Sequence, residues 1–322
     1  MSKHRNIALF VPHAGCPHTC SFCNQRTISG CVNPLTPEDV RRAADIALQD
    51  GAGGEIAFFG GSFTAIPMDY MTELLNSAYP YIENGSFEGI RISTRPDCID
   101  EEILAILKKY GVTAIELGAQ SMDNRVLQIN ERGHTAQDVL TASKLIKDSG
   151  FSLGLQMMTG LYGDDGSSTM LTADEFIKIH PDTVRIYPTI ILEGTTLANY
   201  YKSGIYVPQT LDTAVEECAE LLKRFNENNI KVIRLGLHSG GNVEDGYLAG
   251  AWHPAFRELC EGRIYRDKIQ KYIDENKLSG RVVFEVPPED ISKALGQKRC
   301  NVEYFRTKGI ELKVREKIGD RK

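Results

Sequence analysis

No segment of the chain is apolar over anything near the ~20 residues that would cross a bilayer. The opening MSKHRNIALFVPH has too short an apolar stretch for a secretory signal. Both absences point to a cytoplasmic protein with no membrane partner. There is no low-complexity segment, no long linker before residue 281, and only one tryptophan. The net charge of −6 does not by itself suggest a nucleic-acid binder. A reducing compartment argues against disulfides, so the eight cysteines are expected to bind metal or do redox chemistry rather than to form staples. A second C-x2-C pair, which a zinc site of that type needs, is missing.

What is present is an ordinary globular composition, 42% hydrophobic and 25% charged, with an uneven distribution of charge. Residues 281–322 carry 11 Lys/Arg against 7 Asp/Glu, a net of +4, whereas the remainder carries 26 against 36. A basic end on an acidic body calls for an explanation. The first ~235 residues alternate short apolar runs with helical patterns, the signature of βα units around a parallel sheet. Strands are expected at Ile7–Val11, Glu55–Gly60, Gly89–Ser93, Ala114–Gly118, Leu153–Met158 and Thr183–Tyr187. The helix TPEDVRRAADIALQDG has Thr36 as N-cap, Pro37 at its first position, Glu38 and Asp39 in the first turn, and Gly51 at its stop. Six such units predict an α/β fold, a partial or full (β/α)6 barrel over residues 1–236, with its chemistry at the C-terminal strand ends. A loop and helical connector follow over 237–280, then a small C-terminal β-α-α-β module over 281–317.

The stretch CPHTCSFCNQ places Cys16, Cys20 and Cys23 in C-x3-C-x2-C spacing just after the first strand, on that chemical edge. Three thiolates suit a [4Fe–4S] cluster with one iron left open to a ligand. The bland alternatives are a zinc knuckle or three unlinked buried thiols. Cys31, Cys98, Cys218, Cys260 and Cys300 are scattered and read as small buried hydrophobes.

With Phe22 before the third cysteine, this motif resembles that of the radical SAM enzymes. The resemblance implies that the open iron chelates S-adenosylmethionine and that reductive cleavage yields a 5′-deoxyadenosyl radical, which abstracts hydrogen from a substrate. It also implies an electron donor such as flavodoxin or ferredoxin. FFGGSFT (58–64) matches the family's glycine turn and implies that Gly60, Gly61 and Ser62 take the methionine end of the cofactor. Relatives often carry a glutamate at the position of Ser93. ELGAQSMDNRVLQINERGHT (116–135) implies that Gln120 and Arg132 hold ribose and carboxylate, Arg having the planar fork for the latter. Gln156 stands where coproporphyrinogen-type relatives have an aspartate to the ribose. The run from Asn6 to about Pro208 looks like the radical SAM half of the Elongator catalytic subunit, which modifies wobble uridines of tRNA. That subunit has a longer first cysteine gap and an acetyltransferase domain, and nothing in this sequence resembles the latter.

The basic tail, strand–helix–GQKR–helix–strand, resembles a minimal KH module, a clamp for single-stranded nucleic acid. Gly296 would allow close backbone approach, and Lys298 and Arg299 would add charge beside it, with Arg299 where the second KH glycine belongs. The alternative is a small cap over the barrel mouth or a dimerisation element. Trp252 and His253 in GAWHPAF line either a substrate mouth or a packed corner; His13, His18 and His238 are ambiguous, with His18 read as a hydrogen-bond donor beside the cluster. Tyr162, Tyr187 and Glu193 follow late strands and are the acid–base guesses, and the catalytic residue is otherwise unassigned. The expectation is therefore a radical SAM enzyme acting on RNA, with tRNA foremost. Its alternatives are a small-molecule enzyme resembling the coproporphyrinogen oxidases and a non-enzymatic iron–sulfur RNA-binding regulator.

Overall fold

The computed structural model describes residues 6–11, 16, 19–24, 33–51, 53–237 and 243–317. Its centre is one open, curled sheet of seven parallel strands, a half-barrel. The strands are β1 (Ile7–Phe10), β2 (Glu55–Phe59), β3 (Gly89–Thr94), β4 (Val112–Gln120), β5 (Ser152–Thr159) and β6 (Thr183–Pro188). A short β7 (Ile190–Leu192) leaves the sheet, and β8 (Lys231–Leu235) closes its far edge against β6. The six expected strands are all present; β8, from the run VIRLGLH, is a seventh. It reaches the sheet only after β7 and two helices, α7 (Thr196–Lys202) and α8 (Leu211–Glu227), have intervened.

All-parallel sheets usually have both faces covered and strands that read as continuous apolar runs. Here the strands alternate. Ile90 and Ile92, Leu153, Leu155 and Met157, and Val184 and Ile186 are buried in the main core. They pack there with Val40 and Ala44 of α1 (Pro37–Gln49), Leu74 and Leu75 of α2 (Met68–Glu83), Leu104 and Leu107 of α3 (Glu101–Lys109) and Phe225 of α8. Their neighbours Arg91, Ser93, Gln156, Arg185 and Tyr187 are half-buried. Since successive strand side chains point to opposite faces, the polar set shares the other, concave face. The chain thus builds a cavity wall out of the residues that interrupt its apolar strands.

The helix starts follow local chemistry. Thr36 caps α1, and the cap is reciprocal: Asp39 N donates to Thr36 Oγ1 (3.2 Å) while Thr36 N donates to Asp39 Oδ2 (3.1 Å). The next two helices are α4 (Asn124–Ile129) and α5 (Ala136–Asp148), and α6 (Ser167–Ile179) follows β5. Beyond β8, β9 (Tyr247–Gly250) pairs antiparallel with β7, and the long α9 (Phe256–Glu275) follows. The first turns of α9 put Phe256 and Cys260 into the main core, and its later turns put Ile269 and Ile273 into a second one. That second core holds Val282 of β10 (Gly280–Val286), Phe305 of α11 (Cys300–Thr307) and Leu312 of β11 (Ile310–Glu316), with α10 (Ile291–Leu295) between. β10 and β11 pair in parallel. The tail is therefore a β-α-α-β unit built on the second half of α9.

Candidate functional site

The cysteine segment is anchored from both sides. Ser21 N donates to Asn130 O (3.1 Å), Ser21 Oγ to Asn130 Oδ1 (2.7 Å), and Leu197 N to Ser21 O (2.7 Å). Phe22, the aromatic of the motif, packs with Ile191, Leu197 and Tyr206. Cys23 N donates to Cys20 O (3.0 Å), closing a turn that carries both sulfurs. Cys16 is exposed, Cys20 buried and Cys23 half-buried. Burial, then the charges of Cys20 and Cys16, push the Cys23 thiol up to about 12. Burial and Cys20 also raise Cys16. Neighbouring thiols that disfavour ionisation of Cys16 and Cys23 fit a site completed by a cationic group, which would stabilise the thiolates. Among the described residues, no three His, Cys, Asp or Glu side chains are grouped as ligands of a single metal ion.

Arg132, from the turn after α4, reaches this segment from 112 positions away. It is 7% exposed, its Nη1 donates to Cys20 Sγ (3.1 Å) and its Nη2 to Gly118 O (2.5 Å), and its buried Nε has no partner among the described residues. Gln120, at the end of β4, has φ +65°, a left-handed conformation costly for a side chain, and its buried Oε1 also has no partner. A Cβ on Gly118 would meet Gln120 Nε2 at 3.0 Å and Arg132 Nη2 at 3.6 Å, so the two side chains with orphaned polar atoms flank one glycine and make a cradle for a polar ligand, since buried polar groups are otherwise almost always paired. Gly60 and Gly61 turn away from β2 with φ +85° and +59°, and a Cβ on Gly60 would come within 3.4 Å of Val11 O. Ser62 is fully buried, and its hydroxyl is engaged by Thr94 Oγ1 (2.8 Å) and by Arg95 N (3.2 Å). It ties the glycine turn to the end of β3. Arg95 in turn donates to Arg132 O (2.6 Å) and to both oxygens of Asp97. Cys98 lies in the same corner, where its charge bears on Cys16. It stands apart from the fully buried Cys218 and Cys260, which do behave as small hydrophobes.

The concave face of the sheet carries an ionic network that sequence reasoning missed. Glu116, 1% exposed, accepts from Arg185 Nε (2.6 Å) and Nη2 (2.8 Å), Arg91 Nη1 (3.2 Å) and Gln156 Nε2 (3.0 Å). Arg91 Nε also donates to Glu55 (2.7 Å). Burial works against the Arg185 charge, but its bonds to Glu116 outweigh this and raise its pKa. Gln156 thus faces this network, with Ser93 Oγ at 3.4 Å, and Glu116 is the register neighbour of Ser93 on β4. The signal is one charged residue inside each of the apolar runs GIRIST, AIELG and TVRIYP: Arg91, Glu116 and Arg185.

Other expected residues are dispersed. Tyr162 packs against Tyr200 and Tyr206 around the Phe22 cluster, and Glu193 O accepts from Asn24 Nδ2 (3.0 Å). Trp252 packs with Ile190, Leu192 and Leu237, and His253 Nδ1 accepts from Ala255 N (3.0 Å) at the start of α9. His13, His18, Cys31 and His238 lie outside the described residues. In the tail, Gly296 is buried at φ +74°, and a Cβ there would meet Cys300 Sγ at 2.6 Å. Its glycine identity follows from packing. Lys298 and Arg299 are exposed on the same turn, pointing charge to solvent.

The family model for the Radical SAM superfamily matches residues 10–177, and the model for the Radical_SAM C-terminal domain matches residues 181–266. The tRNA uridine(34) acetyltransferase of Methanocaldococcus jannaschii is 31% identical over 182 residues, covering 50% of this chain and 34% of that protein. Elongator complex protein 3 of Homo sapiens is 30% identical over 188 residues, covering 52% of this chain and 34% of that protein. The chain therefore spans about a third of the length of these curated relatives. The solved structure of the archaeal Methanocaldococcus infernus Elp3 with N-terminus deletion superposes with a TM-score of 0.65 at 22% identity, covering 85% of this chain and 64% of that one. With residues 10–177, over half of its length, matched by that family model, the chain belongs to the radical SAM superfamily.

Proposed function

We propose that this radical SAM enzyme modifies RNA, with tRNA as the substrate. The observation that carries the cofactor part is the convergence of Cys20, Arg132, Gly118 and Gln120, with Arg132 Nε and Gln120 Oε1 left without partners. Cys16, Cys20 and Cys23 would hold a [4Fe–4S] cluster. Gly60 and Gly61 would admit the methionine end of S-adenosylmethionine, with Ser62 fixing the turn. Gln120, Arg132 and Gln156 would hold its carboxylate and ribose. Bound here, the cluster and S-adenosylmethionine supply hydrogen-atom abstraction driven by one electron from a reductant such as flavodoxin or ferredoxin.

The protein's own part is positioning. The Arg132 guanidinium donates toward a cluster-binding sulfur, the kind of contact that tunes thiolate ligation. The Glu116 network fixes the concave face so that it keeps its shape without a bound molecule. The RNA part is supported by likeness to tRNA uridine(34) acetyltransferases over half of the chain and by the basic tail. There, Lys298 and Arg299 would meet phosphates while Gly296 holds the turn against α9. No helix among the described residues is long and apolar enough to cross a membrane.

The test is nucleoside analysis of bulk tRNA from a strain lacking the gene and from the same strain complemented. A nucleoside lost on deletion, and restored by the wild-type chain but not by a Cys20→Ala variant, supports the reading. An unchanged nucleoside profile contradicts it.

A further inference from the structure

Among the described residues, one cation on the concave face, Arg234, has no anion. Arg91 and Arg185 share the carboxylates of Glu55 and Glu116. Arg234 lies beside Arg185 in register, on the last strand of the sheet. It donates its Nε to Gly236 O (2.9 Å). Among the described residues, its two terminal nitrogens have no hydrogen-bond partner and no carboxylate pairs with it. Outside the described residues, the only aspartate or glutamate is Asp320.

The groups that bear on Arg234 are Tyr187, Arg185 and Arg257. Arg257 has its own partners, Glu261 (3.0 Å) and Val232 O (2.9 Å), so it offers Arg234 nothing but repulsion. Burial works against the Arg234 charge; Tyr187 favours it, the two guanidinium groups oppose it, and the balance lowers its pKa. A guanidinium stays protonated regardless, so the chain carries an uncompensated, half-buried charge. A residue kept only for folding would be better replaced by an apolar side chain of the same shape. Tyr187 accepts from Arg185 and, as a phenol that is protonated at neutral pH, keeps its O–H to donate; burial raises its pKa further.

We propose that Arg234, with the Tyr187 hydroxyl beside it, is a phosphate-binding site that holds the backbone of the substrate RNA at the edge of the half-barrel farthest from β1. The proposal rests on the RNA reading above. Its geometry follows from strand order. The cofactor residues follow β1 and β2, end β4 and, with Gln156, reach β5, while Arg234 is on β8, two strand steps beyond β5, or about 10 Å at the usual strand spacing. A strand gripped there presents a neighbouring nucleotide inward across the concave face. The planar fork of Arg234, with both terminal N–H pairs unengaged, matches two oxygens of one phosphate.

The test compares Arg234→Met and Arg234→Lys with the wild-type chain in two measurements: urea unfolding of the free protein, and tRNA binding by fluorescence anisotropy across a salt series. The expected result for R234M is a free protein no less stable than wild type that binds tRNA about tenfold more weakly. Its slope of log affinity against log salt should be shallower by about 0.7–0.9 for one lost phosphate contact. R234K should keep most of that slope. If wild type binds tRNA and R234M binds it equally well with the same slope, the phosphate site is wrong and the RNA reading stands. A marked loss of stability in R234M with unchanged affinity likewise overturns the site, because Arg234 is then structural. No tRNA binding by the wild-type chain removes the RNA reading and this site together.

Discussion

Replacing Glu116 by glutamine should cost a large fraction of a domain's net stability without removing one apolar contact. The carboxylate is 1% exposed and accepts four hydrogen bonds, three of them from arginine. Glutamine keeps the shape but turns one oxygen into a donor that faces arginine donors. Arg91 retains Glu55, whereas Arg185 has no second carboxylate. The Arg185 side chain is 15% exposed, so water screens it little. Removing one partner of a buried pair typically costs about 3–5 kcal/mol, against a net stability of roughly 5–15 kcal/mol for a domain. Urea unfolding at pH 7 would show Glu116→Gln with a midpoint shifted by that free energy at unchanged slope. Adding Arg185→Met should restore part of the loss, because an apolar replacement of both charges is often neutral or stabilising. A cost below about 1 kcal/mol for Glu116→Gln would refute the reasoning, as would a double variant in which the two losses simply add.

Three further outcomes follow from named geometry. His134 is 4% exposed, its Nε2 lies 3.1 Å from Ala119 O, and burial, then Arg132 and Arg95, push its pKa down to about 3. Below about pH 6.5 the unfolded chain binds a proton that the folded one refuses. Stability should therefore fall by up to ~1.4 kcal/mol per pH unit between about 6.5 and 3; His134→Gln should remove that component from urea midpoints measured at pH 7, 6 and 5. Gly296→Ala puts a Cβ 2.6 Å from Cys300 Sγ, on a backbone at φ +74°, ψ 160° that only glycine adopts freely. It should cost about 1–3 kcal/mol from strain alone, seen as faster amide exchange across 280–316 with β2–β6 unchanged. Arg132→Lys replaces a fork that spans Cys20 Sγ and Gly118 O by a point charge that cannot span both. Binding of S-adenosylmethionine to the reconstituted protein, measured by equilibrium dialysis, should weaken at least about tenfold; wild-type affinity would remove Arg132 from the cofactor site.

The elements that the sequence announced are those whose cause is local. Thr36 and Pro37 start α1 where the cap chemistry says, and the short apolar runs between helical patterns mark six strands because each strand's burial is written into its own residues. β8 was harder to see as part of the sheet, because it returns only after the β7 excursion. The concave face shows a different limit. Arg91, Glu116 and Arg185 lie far apart in sequence, and each looks like a stray charge inside an apolar strand. Only the register that puts Ser93 beside Glu116, and Arg185 beside Arg234, reveals a wall. The approach of Arg132 to Cys20 and of Cys98 to Cys16 is long-range packing, which no spacing rule encodes. Gly296 was read as making room for a ligand, whereas its surroundings, Cys300 and Asn301, already require a glycine.

The most direct test of the central claim is formation of 5′-deoxyadenosine. The protein is purified without oxygen, reconstituted with iron and sulfide, and given a low-potential reductant with S-adenosylmethionine, in the presence and absence of tRNA. The account predicts 5′-deoxyadenosine from the wild-type chain, more of it with tRNA, and none from Cys16→Ala, Cys20→Ala or Cys23→Ala. An intact cluster that yields no 5′-deoxyadenosine under either condition would contradict it.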